Sequence, residues 1–222
     1  AVDSYEHALE VNPRNMDAIN AIEEIHTAEG MWEDVIGAME KRVIAFETPE
    51  EKVAQLLGIA TSWSEKVENA DGGTSAYQRI LEIQPAHTGA FESLEKLHKD
   101  AGRWEELIDM YITRYEEAES VEQGVKLLRK AAKVFEEKLN SPEQAYDTLE
   151  AAWSQDFTDK PTWMELERVT RVTGKWNDLL TSAQNALAQE EDPAVKIALC
   201  LQCARWYGQE LGGGHGLCRR PL

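Results

Sequence analysis

The residue types best able to do chemistry stand in two short pairs. Cys200 and Cys203 are separated by two residues, and so, further on, are His215 and Cys218. Thiolates and an imidazole at such spacings suit tetrahedral zinc. The chain repeats every 72 residues, however. One period back, Cys200 falls on Leu128 and Cys203 on Ala131, and two periods back they fall on Leu56 and Ile59. These are expected core positions, where a free cysteine packs as a small hydrophobe. Core packing is therefore the stronger reading and zinc the weaker, and no metal or cofactor is expected. Other chemistry is harder to assemble. The carboxylates are many but scattered. His7, His26, His87 and His98 have no nucleophile at a recognisable spacing. Gly72-Gly73 lacks the Lys-Ser/Thr of a phosphate loop and follows no strand. With no catalytic motif, the chain is expected not to be an enzyme.

The period itself is carried by three runs. Gly30-Met31-Trp32-Glu33-Asp34-Val35-Ile36 is followed by Gly102-Arg103-Trp104-Glu105-Glu106-Leu107-Ile108, and that by Gly174-Lys175-Trp176-Asn177-Asp178-Leu179-Leu180. A fixed period of this length marks a repeat array. Apolar residues at three-and-four spacing predict helices throughout. In the first round these run over 2–11, 15–28, 31–46, 48–67 and 74–83, with a loose connection at 68–73. The second gives 87–99, 103–117, 122–139 and 141–154. The third gives 160–172, 175–188 and 193–211. Thr48-Pro49-Glu50-Glu51 and Ser141-Pro142-Glu143-Gln144 both read as capping boxes. Trp32, Trp104 and Trp176 share one position, and Trp63, Phe135 and Tyr207 share another; periodic aromatics on helices are expected in the core. The fold class is all-α, about twelve helices in three 72-residue rounds, with no strand pattern.

Half of 72 is close to the length of a tetratricopeptide repeat, and individual residues carry a resemblance to that family. Leu94, His98, Gly102, Leu107, Tyr111 and Arg114 follow its spacing. Ala132, Phe135, Ala145 and Leu149 do so in the other half-round, and Ala60, Trp63, Ala76 and Ile80 do so across a longer turn. Ala76-Tyr77-Gln78-Arg79-Ile80-Leu81-Glu82-Ile83-Gln84-Pro85 is similar to the repeat's second helix and closing proline. Glu95 stands where the family usually has glycine, and the repeat length alternates. The resemblance covers residues 1–211 and implies a right-handed superhelical solenoid of antiparallel helix pairs. It also implies a scaffold that holds a peptide or helix in a concave groove. On this reading the chain is a fragment that starts mid-repeat, with a Gly-rich non-repeat tail at 212–222.

Charge narrows the partner. With 23 Lys and Arg against 41 Asp and Glu, the net charge is −18, which argues against nucleic acid and against anionic membranes. No apolar run approaches a bilayer span and the first residues are not a signal peptide. Three cysteines are too few for a disulfide framework, so the cytoplasm is expected. Yet the positions that the resemblance turns toward a groove collect positive charge: Lys96, Lys99, Lys126, Arg129, Lys133, Arg168, Arg171 and Arg205. The corresponding first-round residues include Asp17, Asn20, Glu24, Thr61 and Ser64. The expectation is a non-catalytic scaffold that takes an acidic peptide or partner along Lys126, Arg129 and Lys133. The competing view is that these cations are solvated and salt-bridged to Glu92, Glu136, Glu137 and Glu165. Two other roles stay open: a structural module associating end to end through uncapped ends, and an accessory domain of a larger multidomain enzyme.

Overall fold

A computed structural model describes residues 1–213, with side chains through Gly208. Among the described residues there are twelve helices and no strand. They are α1 (Val2–Val11), α2 (Met16–Glu29), α3 (Trp32–Ala45), α4 (Pro49–Glu65), α5 (Ala70–Ile83), α6 (Thr88–Ala101), α7 (Trp104–Glu116), α8 (Val121–Glu137), α9 (Pro142–Gln155), α10 (Lys160–Thr173), α11 (Trp176–Gln189) and α12 (Pro193–Gly213). They form an all-α array of helix pairs. The chain divides into two compact units, Ala1–Arg103 with α1 to α6, and Trp104 onward with α7 to α12. Within each unit every helix packs on its sequence neighbours. The expected end of the array at residue 211 lies inside α12.

The period fixes the turns as well as the helices. Asn15, His87 and Asp159 recur at 72-residue spacing, and each accepts the backbone N–H three residues on. The acceptors are Asn15 Oδ1 (3.2 Å from Ala18 N), His87 Nδ1 (2.9 Å from Ala90 N) and Asp159 Oδ2 (3.0 Å from Thr162 N). Each satisfies one of the open donors of a first helical turn. The helices they open end at Gly30, Gly102 and Gly174, with φ of 72°, 68° and 72°. A left-handed residue closes a helix, and glycine adopts that conformation without a Cβ penalty.

The Trp104 unit is centred on Leu149, Trp153, Leu166, Val169, Leu179, Ala183, Leu199 and Trp206. In the Ala1–Arg103 unit, Leu9, Ala18, Ile19, Ile22 and Ala38 form one cluster. A second holds Ile36, Val43, Val53, Leu56, Ile59, Ala60, Ala76 and Ile80. Burying a large aliphatic side chain is worth roughly 1.5–3 kcal/mol, which outweighs the modest helix propensity of the isoleucines and valines.

Three expectations need correction. Residues 70–73 are the first turn of α5, not a loop. Asn69 Oδ1 accepts from Asp71 N at 3.0 Å and from Gly72 N at 3.1 Å, and Gly72 admits the Trp63 indole at close range. Packing has overridden the poor helix propensity of a Gly-Gly pair. Thr48 does form its capping box, but Ser141 does not. Its hydroxyl donates to Gln144 Oε1 at 2.7 Å and accepts no backbone N–H. Lastly, Trp32, Trp104 and Trp176 are half-buried rather than core. Lys66 lies over the Trp32 ring at 5.1 Å and Lys138 over Trp104 at 5.0 Å. These are two cation–π lids, again 72 residues apart.

Candidate functional site

The basic residues singled out above divide between the units. Lys96 and Lys99 lie exposed on α6 of the first unit, and Lys99 pairs with Glu95. The other six lie on α8, α10 and α12 of the second unit. Ion pairs tie these three alternate helices together along one face. Arg129 of α8 donates to Glu165 of α10 at 2.7 Å and 3.5 Å. Its guanidinium also stands 3.9 Å from Asp159. Arg168 of α10 holds both carboxylate oxygens of Glu136 on α8, at 2.5 and 2.6 Å. That paired geometry drives the Glu136 carboxyl below its ordinary range and the Arg168 guanidinium above its own. Charge-assisted forks of this kind are the strong hydrogen bonds of protein surfaces.

The next rung is deeper. Glu167 of α10 is only 4% exposed. It accepts from Arg205 of α12 at 2.6 and 3.2 Å and from Arg171, one turn along its own helix, at 3.2 Å. The hydrogen bonds from Arg205 to Glu167 raise the arginine's pKa. Arg205 also covers the Trp163 ring at 5.5 Å. A buried carboxylate is tolerated only when it is paired in this way.

The lysines behave differently. Lys126 reaches Glu122 at 2.6 Å and Lys133 approaches Glu137 at 3.8 Å, both within α8, and their side chains are 65% and 69% exposed. With Arg129, and with Lys130, they run along α8 at spacings of three and four, which places them on one side of the helix. Lys130 escaped the sequence reading. Its ammonium lies 5.4 Å from the Tyr111 ring centroid. The spacing Lys126-x-x-Arg129-Lys130-x-x-Lys133 could have revealed it. Of the four carboxylates named as counter-charges, Glu136, Glu137 and Glu165 do meet these cations.

The cysteine pair is divided by burial. Cys203 is buried and Cys200 exposed. Burial pushes the Cys203 thiol up in pKa. Cys200 is not in the core where the period placed it, because no described helix covers that side of α12. His215 and Cys218 lie outside the described residues. Among the described residues no three His, Cys, Asp or Glu side chains group to hold a metal ion, and no helix is long and apolar enough to cross a membrane.

A 430 Å³ cavity in the first unit is lined by Asn20, Glu23, Glu24, Thr27, Ala28 and Arg42. Arg42 fills part of it, bonded to Asn20 Oδ1 at 2.7 Å and to Glu23. A 250 Å³ cavity in the second unit lies beside Tyr115, Ser120, Gly124 and Gln155. Neither gathers a nucleophile, a base and an anion-stabilising donor in one place.

No protein-family model matches the chain, and no curated protein matches it. Solved structures do. Yeast Tom70 aligns at TM-score 0.40 and 11% identity, over 95% of this chain and 43% of that one. YrrB, described as a TPR protein with an unusual peptide-binding site, aligns at 0.35 and 17%, over 74% of this chain and 80% of its own. A tetratricopeptide repeat protein from Parabacteroides merdae aligns at 0.34 and 15%, over 90% and 76%. The chain thus spans less than half the length of Tom70.

Proposed function

We propose that the chain is a non-catalytic interaction scaffold whose second unit holds an acidic segment of a partner protein on the face of α8, α10 and α12. The observation that carries this reading is the α8 stripe of Lys126, Arg129, Lys130 and Lys133, in a chain of net charge −18. The arginines Arg129, Arg168 and Arg205 are committed to carboxylates on neighbouring helices and act as struts. Lys126 and Lys133 are committed only to exposed partners one turn away on their own helix. Such pairs are worth about 0.3–0.5 kcal/mol, so a ligand carboxylate replaces Glu122 or Glu137 at little cost. The ligand therefore sits on the lysines, as point charges, above a floor stiffened by the arginine rungs. Binding of this type weakens with added salt.

The test is fluorescence anisotropy with a labelled peptide of consecutive glutamates, against one of consecutive lysines, over a series of salt concentrations. The expected result is binding of the acidic peptide that falls with salt, and binding at least about tenfold weaker in Lys126→Glu/Lys130→Glu/Lys133→Glu, the loss of roughly 1.4 kcal/mol. Circular dichroism must show the same helix content in both proteins. Equal affinity in the triple variant, or no binding of the acidic peptide at low salt, removes the reading.

A further inference from the structure

One glutamate recurs at the 72-residue spacing, as Glu23 of α2, Glu95 of α6 and Glu167 of α10. Two cations hold Glu167: Arg171, one turn along α10, and Arg205 of α12. One period back those two positions are Lys99 and Lys133, and Lys99 pairs with Glu95 across the same single turn. Two periods back both are threonines, Thr27 of α2 and Thr61 of α4. Both are exposed and neither carries a charge. The first round thus keeps the carboxylate and lacks the two cations that its period supplies elsewhere.

A cavity opens at this place. It is the 430 Å³ space lined by Asn20, Glu23, Glu24, Thr27, Ala28 and Arg42, within the size range of small-ligand clefts. Arg42 of α3 does not swing across to close it, because Asn20 and Glu23 of α2 and Gln55 of α4 all accept from its guanidinium. Nor does Arg42 saturate Glu23. The carboxylate of Glu167, at the same position of the period, accepts from two guanidinium groups at once. Glu24 stands beside it, exposed and without an ion pair among the described residues. Two carboxylates against one guanidinium leave the lining negative.

We infer that this cavity takes the side chain of an arginine from a partner protein, in the place that Lys99 and Arg171 hold beside Glu95 and Glu167. The guanidinium donates to Glu23 and Glu24, whose carboxylates its planar fork matches. Its aliphatic stem lies against Ala28, as long basic side chains do on apolar surface. The partner thus completes across an interface a pairing that the later rounds complete within the chain. The cavity belongs to the first unit and the Lys126 stripe to the second, so the inference stands whether or not an acidic segment binds there.

Titration of the isotope-labelled 222-residue chain, followed by backbone amide chemical shifts, tests this. The probe is a short Gly-Ser peptide carrying one arginine, and the control is the same peptide with citrulline, the neutral isostere. The expected result is saturable shifts at Asn20, Glu24 and Thr27, with affinity at least about tenfold weaker for the citrulline peptide, the scale of lost charge-assisted hydrogen bonds. Thr27→Arg should abolish the shifts, because the chain's own guanidinium then occupies the cavity as Arg171 does in its round. Thr27→Ser should retain them. Position 27 is exposed, so both variants are expected to keep the helix content of the parent, checked by circular dichroism. Shifts of equal size with citrulline, or shifts that survive Thr27→Arg, overturn the inference, as does an arginine peptide that moves none of the three amides. Free arginine that binds as tightly as the peptide overturns the assignment to a protein partner, since a small cation then suffices.

Discussion

Arg168 closes two guanidinium nitrogens on the two carboxylate oxygens of Glu136, bridging α10 to α8. This rung has a pH signature. The hydrogen bonds from Arg168 hold the Glu136 carboxyl below its ordinary 4.5. A depressed carboxylate contributes stability that is present above the unfolded pKa and lost as pH falls through the folded one. Urea unfolding of Glu136→Gln is therefore expected to lie below the parent at neutral pH by about 1 kcal/mol, the scale of a well-aligned but partly exposed pair. The gap should close as pH drops below the usual carboxylate range. A gap that persists at the lowest pH would mean that the residue matters for packing rather than charge.

Gly72 meets the Trp63 indole so closely that a Cβ would stand 2.6 Å from Cγ and 2.7 Å from Cε2. Gly72→Ala is expected to destabilise by about 1–3 kcal/mol, the usual result of overpacking. This reverses the gain that alanine normally brings to a helix. Thermal unfolding and the Trp63 emission maximum report the change. An alanine variant more stable than the parent would refute the close approach.

Glu68 and Asn140 are 72 positions apart and both left-handed, with φ of 56° and 49°. Asparagine tolerates that conformation and glutamate does so poorly. Glu68→Asn is expected to stabilise the chain by about 0.5–1 kcal/mol. Asn140→Glu should lose a similar amount. Paired melting curves decide, and equal midpoints for all three proteins would contradict the assignment.

Gln202 joins a buried indole to a part-buried backbone carbonyl. It accepts from Trp153 Nε1 at 2.9 Å and donates to the Phe157 carbonyl at 2.7 Å. Gln202→Leu strands both, and the cost of unsatisfied buried polar groups is about 1–3 kcal/mol. The near-ultraviolet circular dichroism should change with it, because Trp153 and Trp206 lie edge to face at 5.6 Å. A leucine variant of unchanged stability would show that water replaces the amide.

The array was legible in the sequence because its marks are local. Gly30, Gly102 and Gly174 end helices by their own φ, and the Trp-led runs after them repeat by spacing alone. What escaped depends on contacts between helices. The Gly72-Gly73 pair reads as a loop until Trp63 is seen against it. The basic positions of α8, α10 and α12 were visible as letters. Glu136, Glu137 and Glu165 were legible as counter-charges, but which cation each holds was not, nor was the burial of Glu167, since side-chain direction decides both. Cys200 shows the opposite failure. The period placed Cys200 at a core position, and the structure leaves it exposed, with no covering helix among the described residues.

The three glycine turns have one more consequence. Their φ angles of 72°, 68° and 72° nearly coincide, all three are left-handed, and their separation is constant, so the backbone enters each new round in the same left-handed region. A whole 72-residue cassette can thus be duplicated or deleted between two of these glycines without straining any torsion at the splice. Length in this chain is a modular variable, open to gene-level recombination, whereas insertions of any other size would rotate every later helix off its buried stripe.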